Sequence, residues 1–274
     1  MQFVNHTPFA GLCWLSMDAN DTEYVTIVAR VKYRFESSDE DGLWTLRFHQ
    51  DQEELFCKDV FYDMKKFHVQ YESDYVPYKT QGDLIVNLSE HIDHYASASI
   101  EVLRYTPLDA EKKIETKCLL KHKGFKNLGF VHRSDPSRMR YIGNPDQKWI
   151  ETRAPYLPVD FSDRHYSAAH EKLQLPNTYF RPGDSIVLQK LLPGQHKQTV
   201  IMPGVYLKAI NQEGISRFGV MLEADTVLFD VEDLDMSKNA LYVSYRARVH
   251  VEKLPEKVIL EMMLEDDLIE KRSA

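Results

Sequence analysis

The sequence predicts an all-β fold of mainly antiparallel sheets, sandwich-like, in two β-rich halves with one or two short helices. Three observations lead there. Strict alternation of apolar and polar residues runs through two long segments, 24–35 and 239–252. Shorter alternating segments recur between them, and Pro and Gly turn signals such as Pro182-Gly183, Pro193-Gly194 and Pro203-Gly204 separate several of these. Helical periodicity is scarce, and many strands at short spacing build antiparallel sheets rather than βαβ units.

The segment 24–35 places Val25, Ile27, Ala29, Val31, Tyr33 and Phe35 on one face and Thr26, Arg30 and Lys32 on the other. The segment 239–252 repeats the design, with Leu241, Val243, Tyr245, Ala247, Val249 and Val251 opposite Tyr242, Ser244, Arg246 and Arg248. Further strands are expected at 83–89, 96–104, 113–120, 184–192, 198–210 and 216–231. Helices are expected at 162–174, capped by Ser162, and at 255–271, starting at Pro255. Residues 124–158, rich in Gly, Pro, Asn and Arg, read as a long connection whose own Tyr141, Trp149 and Tyr156 pack it. At 274 residues the chain exceeds the usual domain size, yet all-β units of this length fold as one body. One β-rich domain over 1–274 is expected, with lobes 1–123 and 159–274 flanking that connection.

A net charge of −8 argues against nucleic acid as a partner, because binding to phosphate backbones needs a cationic surface that releases counterions. No basic segment followed by an apolar run opens the chain, and no apolar run reaches bilayer length, so a soluble protein that does not insert into membranes is expected. Cys13, Cys57 and Cys118 are far apart and form no C-x-x-C pair, which fits a reducing cytoplasm and signals neither a disulfide framework nor a zinc knuckle.

No nucleophile elbow, P-loop, zincin helix, EF-hand loop or dinucleotide fingerprint is present, and no cofactor is expected. His91, Asp93 and His94 carry metal-ligating types close together, but a solvated turn explains them as well. Asp160, Asp163, His165 and His170 would make an acid/base group if a cleft collected them; a turn and a helix cap are the plainer reading. The stretch "YESDYVPYKTQGDLIV", 71–86, sets Asp74, Pro77, Lys79 and Asp83 before an apolar run. Pro77 biases Val76 to extended backbone, Gly82 permits a tight turn, and a desolvated Lys79 must pair with a neighbouring acid. A structural loop, a partner-binding surface and a catalytic cluster all remain open for it.

Three motifs in order carry a resemblance. They are "NHTPF" at 5–9, the Asp74, Pro77, Lys79, Asp83 stretch, and "KWIETRAPYLPVDFSDRHYSAAHEKLQ" at 148–174 with Trp149, Arg153, Pro158, Asp160 and Phe161. "ADTVLFDVEDLDMSKNALYVSYRARV" completes the pattern with Asp225, Thr226 and Arg246. Together they resemble a bacterial family first catalogued as a domain of unknown function and encoded in type VI secretion clusters. Residues 124–147 stand where that family carries a longer segment rich in aromatics and glycine. The resemblance implies a non-enzymatic adaptor or chaperone that binds a toxic effector and helps load it onto the spike protein of the secretion machine. Exposed Arg, Tyr and Trp types in the long connection agree with a protein interface. Two other classes stay open: a β-sandwich hydrolase or carbohydrate-acting enzyme using Asp and His residues, and a structural subunit of the machine.

Overall fold

The computed structural model describes residues 1–38, 42–63, 68–88, 98–107, 114–123, 128–191, 197–212, 214–215 and 217–263. The strands in chain order are β1 (Gln2–Asn5), β2 (Ala10–Met17), β3 (Glu23–Ser38), β4 (Leu43–Phe48), β5 (Val60–Asp63), β6 (His68–Tyr71), β7 (Asp83–Leu88) and β8 (Ser99–Pro107). They continue as β9 (Ile114–Lys123), β10 (Ser185–Gln189), β11 (Lys197–Ile201), β12 (Tyr206–Asn211), β13 (Phe218–Met221), β14 (Glu223–Val231), β15 (Ala240–His250) and β16 (Lys257–Met263). The fold is all-β, as the alternation predicts.

A ten-stranded sheet runs β7-β14-β15-β3-β4-β11-β10-β8-β9, with β2 also paired to β3. β3 is long enough to hold β15 along one edge and both β2 and β4 along the other. Pairing is mainly antiparallel; β1–β16, β4–β11 and β7–β14 are parallel. A second sheet is ordered β1-β16-β12-β13, and β5 and β6 form a separate hairpin. Both larger sheets contain strands from 1–123 and from 159–274, so the two halves share hydrogen-bond ladders.

The second sheet covers one face of the large one. Gly11 lies opposite Ala29, and a Cβ added at Gly11 would meet Leu260 at 3.0 Å and Phe3 at 3.5 Å, so the bare backbone lets the sheets close together. Between them lie Val25, Ile27, Ala29, Val31, Leu241, Val243, Tyr245, Leu207, Val258 and Leu260, all buried in one core. The opposite face of β3, β15, β14 and β7 carries Thr26, Arg30, Ser244, Arg246, Thr226 and Asp83, and it too is buried.

Several local expectations are corrected. The stretch 255–271 is not a helix where it is described: Lys257–Met263 is strand β16, with Val258 and Leu260 buried and neighbours on both edges, β1 and β12. Two ladders outweigh the helical start signal at Pro255. The stretch 162–174 is two short 3₁₀ turns, Asp163–Tyr166 and Glu171–Leu173. Ser162 does cap the first, but the Ala168 N–H leaves the helical ladder to donate to Asp83. The runs 198–210 and 216–231 each divide into two strands, β11 and β12 around Pro203-Gly204, and β13 and β14 around Leu222.

The short α-helices sit in the long connection. α1 (Pro136–Met139) has Pro at its start and Asp135 as cap; α2 (Gln147–Thr152) is capped by Asp146. His91, Asp93 and His94 lie outside the described residues.

Candidate functional site

Register decides which side chains meet on the polar face. Asp83 pairs with Thr226, Thr226 with Ser244, and Ser244 with Arg30, so one row crosses four strands. Neighbouring strands put paired residues on the same side. A β-bulge between Ala224 and Thr226 lets the consecutive Asp225 and Thr226 both serve this side: the Thr226 hydroxyl donates to Asp225 at 2.8 Å, and Asp225 lies 3.2 Å from Arg246 Nε.

The stretch 71–83 covers this row. Arg30 bonds Asp74 at 2.7 Å, and the same Asp74 oxygen accepts the Phe56 N–H at 2.8 Å. Lys79 Nζ lies 2.7 Å from Asp83 and donates to Thr226 at 2.9 Å. Arg246 donates to the Val76 carbonyl at 3.1 Å, and Thr26 to the Pro77 carbonyl at 3.1 Å. Asp74 therefore answers Arg30, while Lys79 is answered by Asp83. Gly82 has no left-handed φ; its role is room, since a Cβ there would meet the Phe180 ring at 2.9 Å and Leu175 at 3.0 Å.

Glu72 extends the lattice to Arg138 at 2.8 Å and Arg133 at 3.0 Å. Arg30, Lys79, Arg138 and Arg246 thus face Glu72, Asp74, Asp83 and Asp225, each under a tenth exposed, and their charges balance. Desolvated ions of this kind are tolerable only when paired and hydrogen-bonded, and removing one partner typically costs about 3–5 kcal/mol. A cavity of about 30 Å³ remains among Arg30, Asp74, Lys79, Thr226, Ser244 and Arg246, room for one water. Burial pushes the Asp225 carboxyl above the usual carboxylate range despite Arg246 beside it. Burial likewise raises Asp230, which accepts from the Tyr71 hydroxyl at 2.5 Å and from Asn87 at 3.1 Å. Asp74, Lys79, Asp83, Asp225, Thr226 and Arg246 are thus brought together as a clamp between the loop and the sheet.

Trp149, Arg153, Pro158, Asp160 and Phe161 belong to a different place, the helical excursion between β9 and β10. Arg153 anchors it: its guanidinium takes both oxygens of Asp21 at 2.8 and 2.7 Å and the Ala19 carbonyl at 2.6 Å, and Nε donates to the Leu157 carbonyl. Asp160 accepts the Asn144 N–H at 3.0 Å beside Gly143, whose φ of +81° suits glycine. Trp149 donates to the Tyr156 carbonyl at 2.8 Å, and Phe161 packs on His165 and Tyr166. Trp149, Arg153, Pro158 and Asp160 line an open groove of about 410 Å³. Val159, also on its wall, is 72% exposed, and Ile150 and Tyr156 nearby in the chain are 55% and 54% exposed.

The acid/base candidates do not converge. Asp163 pairs with Arg248 at 3.0 Å, His165 is buried with Nδ1 3.1 Å from the Arg138 carbonyl, and His170 Nδ1 accepts the Lys172 N–H. Burial lowers the His165 pKa, favouring neutral imidazole. Among the described residues no group of three His, Cys, Asp or Glu could hold a metal ion, and no helix is long and apolar enough to cross a membrane. "NHTPF" is the turn between β1 and β2: Asn5 accepts from Thr7 and donates to the Phe9 carbonyl, and Phe9 is buried. Sequence reasoning placed Arg30 on a polar strand face but missed its role, and it missed Glu72 and Arg138 altogether. A cation at the middle of a long apolar strand was the available signal for Arg30.

Compared with protein-family models, residues 124–245 match a family described as an uncharacterized protein conserved in bacteria (DUF2169). The matched span holds the Trp149–Phe161 motif and runs through most of β15; "NHTPF" and the 71–83 stretch lie outside it. No curated protein and no solved structure matches the chain. The similarity is to a bacterial family of unknown function.

Proposed function

We propose that the protein is a non-enzymatic adaptor that holds a secreted toxic effector in the bacterial cytoplasm and passes it to the spike protein of a type VI secretion machine. The observation that carries this reading is the groove on the helical excursion. Exposed Val159, with Ile150 and Tyr156 on the same excursion, presents apolar area beside Trp149 and Arg153, the composition of an interface centre rather than of an ordinary loop surface. Arg153 grips Asp21 and Ala19, so the excursion is held against the β body and the groove is pre-organised. The motif resemblance supplies the class of partner. The carboxylates Asp74 and Asp83, candidates for catalysis, are buried and engaged by Arg30 and Lys79, which favours the binding reading over the hydrolase one.

Arg153 and Trp149 hold the excursion together, so the test uses Val159, whose side chain is mostly in solvent. Tagged wild-type protein purified from its native cytoplasm is expected to bring down a toxin-domain or spike protein in stoichiometric amount, identified by mass spectrometry. Val159→Asp is expected to lose that protein while keeping the wild-type thermal midpoint. Equal recovery with Val159→Asp, or recovery of neither class of protein with wild type, contradicts the reading.

A further inference from the structure

A second pocket, of about 250 Å³, is lined by Ser137, Arg138, Arg140, Tyr141, Arg164 and Ser167, among others. Its charges are unequally matched. Arg138 is neutralised by Glu72 at 2.8 Å, and Arg140 by Glu171 at 3.0 Å while stacking 4.7 Å from the Tyr141 ring. Arg164, exposed, has the Tyr141 ring 6.0 Å away and makes no ion pair among the described residues. The wall also holds an orphan: Ser167 is 1% exposed, and its Oγ has no hydrogen-bond partner. A buried hydroxyl without a partner costs free energy unless something docks against it.

We propose that this pocket binds a carboxylate, with Arg164 supplying the charge and Ser167 a hydroxyl donor. A guanidinium meets a carboxylate with two parallel N–H bonds, the geometry best suited to a planar oxyanion. One uncompensated cation matches one carboxylate. The volume exceeds what a bare ion fills and takes a carboxylate attached to a few further atoms. That carboxylate comes from an acidic side chain of a bound peptide or from a free dicarboxylate. The site stands independently of the adaptor reading, because it uses none of the residues of the Val159 groove.

The test is isothermal titration calorimetry on the full chain with three probes: succinate, the peptide acetyl-Ala-Glu-Ala-amide and inorganic phosphate. Acetyl-Ala-Gln-Ala-amide serves as the uncharged control. Succinate or the Glu peptide is expected to bind, about tenfold more weakly in Arg164→Gln and measurably more weakly in Ser167→Ala. Ser167→Ala removes a buried atom that has no partner, so its thermal midpoint is expected to be no lower than the wild type's. This variant carries the test should Arg164→Gln fold poorly. Binding of the Glu peptide alone assigns the carboxylate to a partner chain, and binding of succinate assigns it to a small molecule. The proposal is overturned by any of four results: no carboxylate binding at millimolar concentration, equal binding of the Gln control, preference for phosphate, or unchanged affinity in Ser167→Ala.

Discussion

At position 83 one carboxylate oxygen takes both the Lys79 ammonium and the Ala168 N–H, each at 2.7 Å, while the other oxygen has no partner. Replacing it by Asn removes the charge but leaves Lys79 buried beside Thr226. Asp83→Asn is expected to lose about 3–5 kcal/mol in urea unfolding, since a buried cation is left uncompensated; a loss below about 1 kcal/mol would mean that Lys79 finds solvent instead. Asp230 makes a pH prediction. Burial raises its folded pKa above the ordinary Asp value of about 3.9, so the folded state holds its proton more tightly. The stability that this provides is fully present below that value and is lost as pH rises toward the folded pKa. Asp230→Asn is expected to remove that decline, which urea midpoints measured from pH 3 to 7 would register as a flatter profile than wild type's. His165 has the opposite sign: with its folded pKa lowered by burial, stability falls as pH drops below about 6.5.

Among the elements, the helical excursion depends on a single left-handed residue. A Cβ at Gly143 would come within 2.6 Å of Asp160 Oδ1 and 2.8 Å of Pro158 Cβ, at a φ of +81°. Gly143→Ala is expected to destabilise by more than about 1 kcal/mol and to open the excursion to trypsin at Arg140, Lys148 and Arg153 sooner than in wild type. Unchanged cleavage times would show that the turn adapts. The excursion's two helices lie where the sequence predicts only a connection: Asp135-Pro136 and Asp146 are ordinary start signals, but helices of four and six residues are too short to show a helical period. The first 3₁₀ turn, Asp163–Tyr166, follows a cap that the sequence announces at Ser162, and it ends just before a distant carboxylate takes the Ala168 amide. Strand β16 was unreadable locally, because its partners β1 and β12 lie at sequence distances that no periodicity reports.

For the whole molecule, the ladders tie the chain's ends together. β3 pairs with β15, β7 with β14, β8 with β10 and β1 with β16, so each half of the chain loses part of its sheet pairing when alone. Fragments 1–123 and 159–274 are expected to show no cooperative thermal transition separately. A cooperative transition in either fragment would identify an autonomous unit.

What the sequence by itself determined is the strand content. A period of two survives in β3 and β15 because the pleat sends successive side chains to opposite faces whatever they pack against. The sequence also held the right residue types for the clamp, with Asp74, Lys79, Asp83, Asp225, Thr226 and Arg246 all prominent in it. Only the tertiary structure decided that the polar face of β3 is buried rather than solvated, that Arg30 rather than Lys79 takes Asp74, and that Glu72 reaches Arg138. Those choices follow from strand register and from a loop folding back over the sheet. They are set by which charges must leave water together, a condition imposed by the whole fold and not by any one segment.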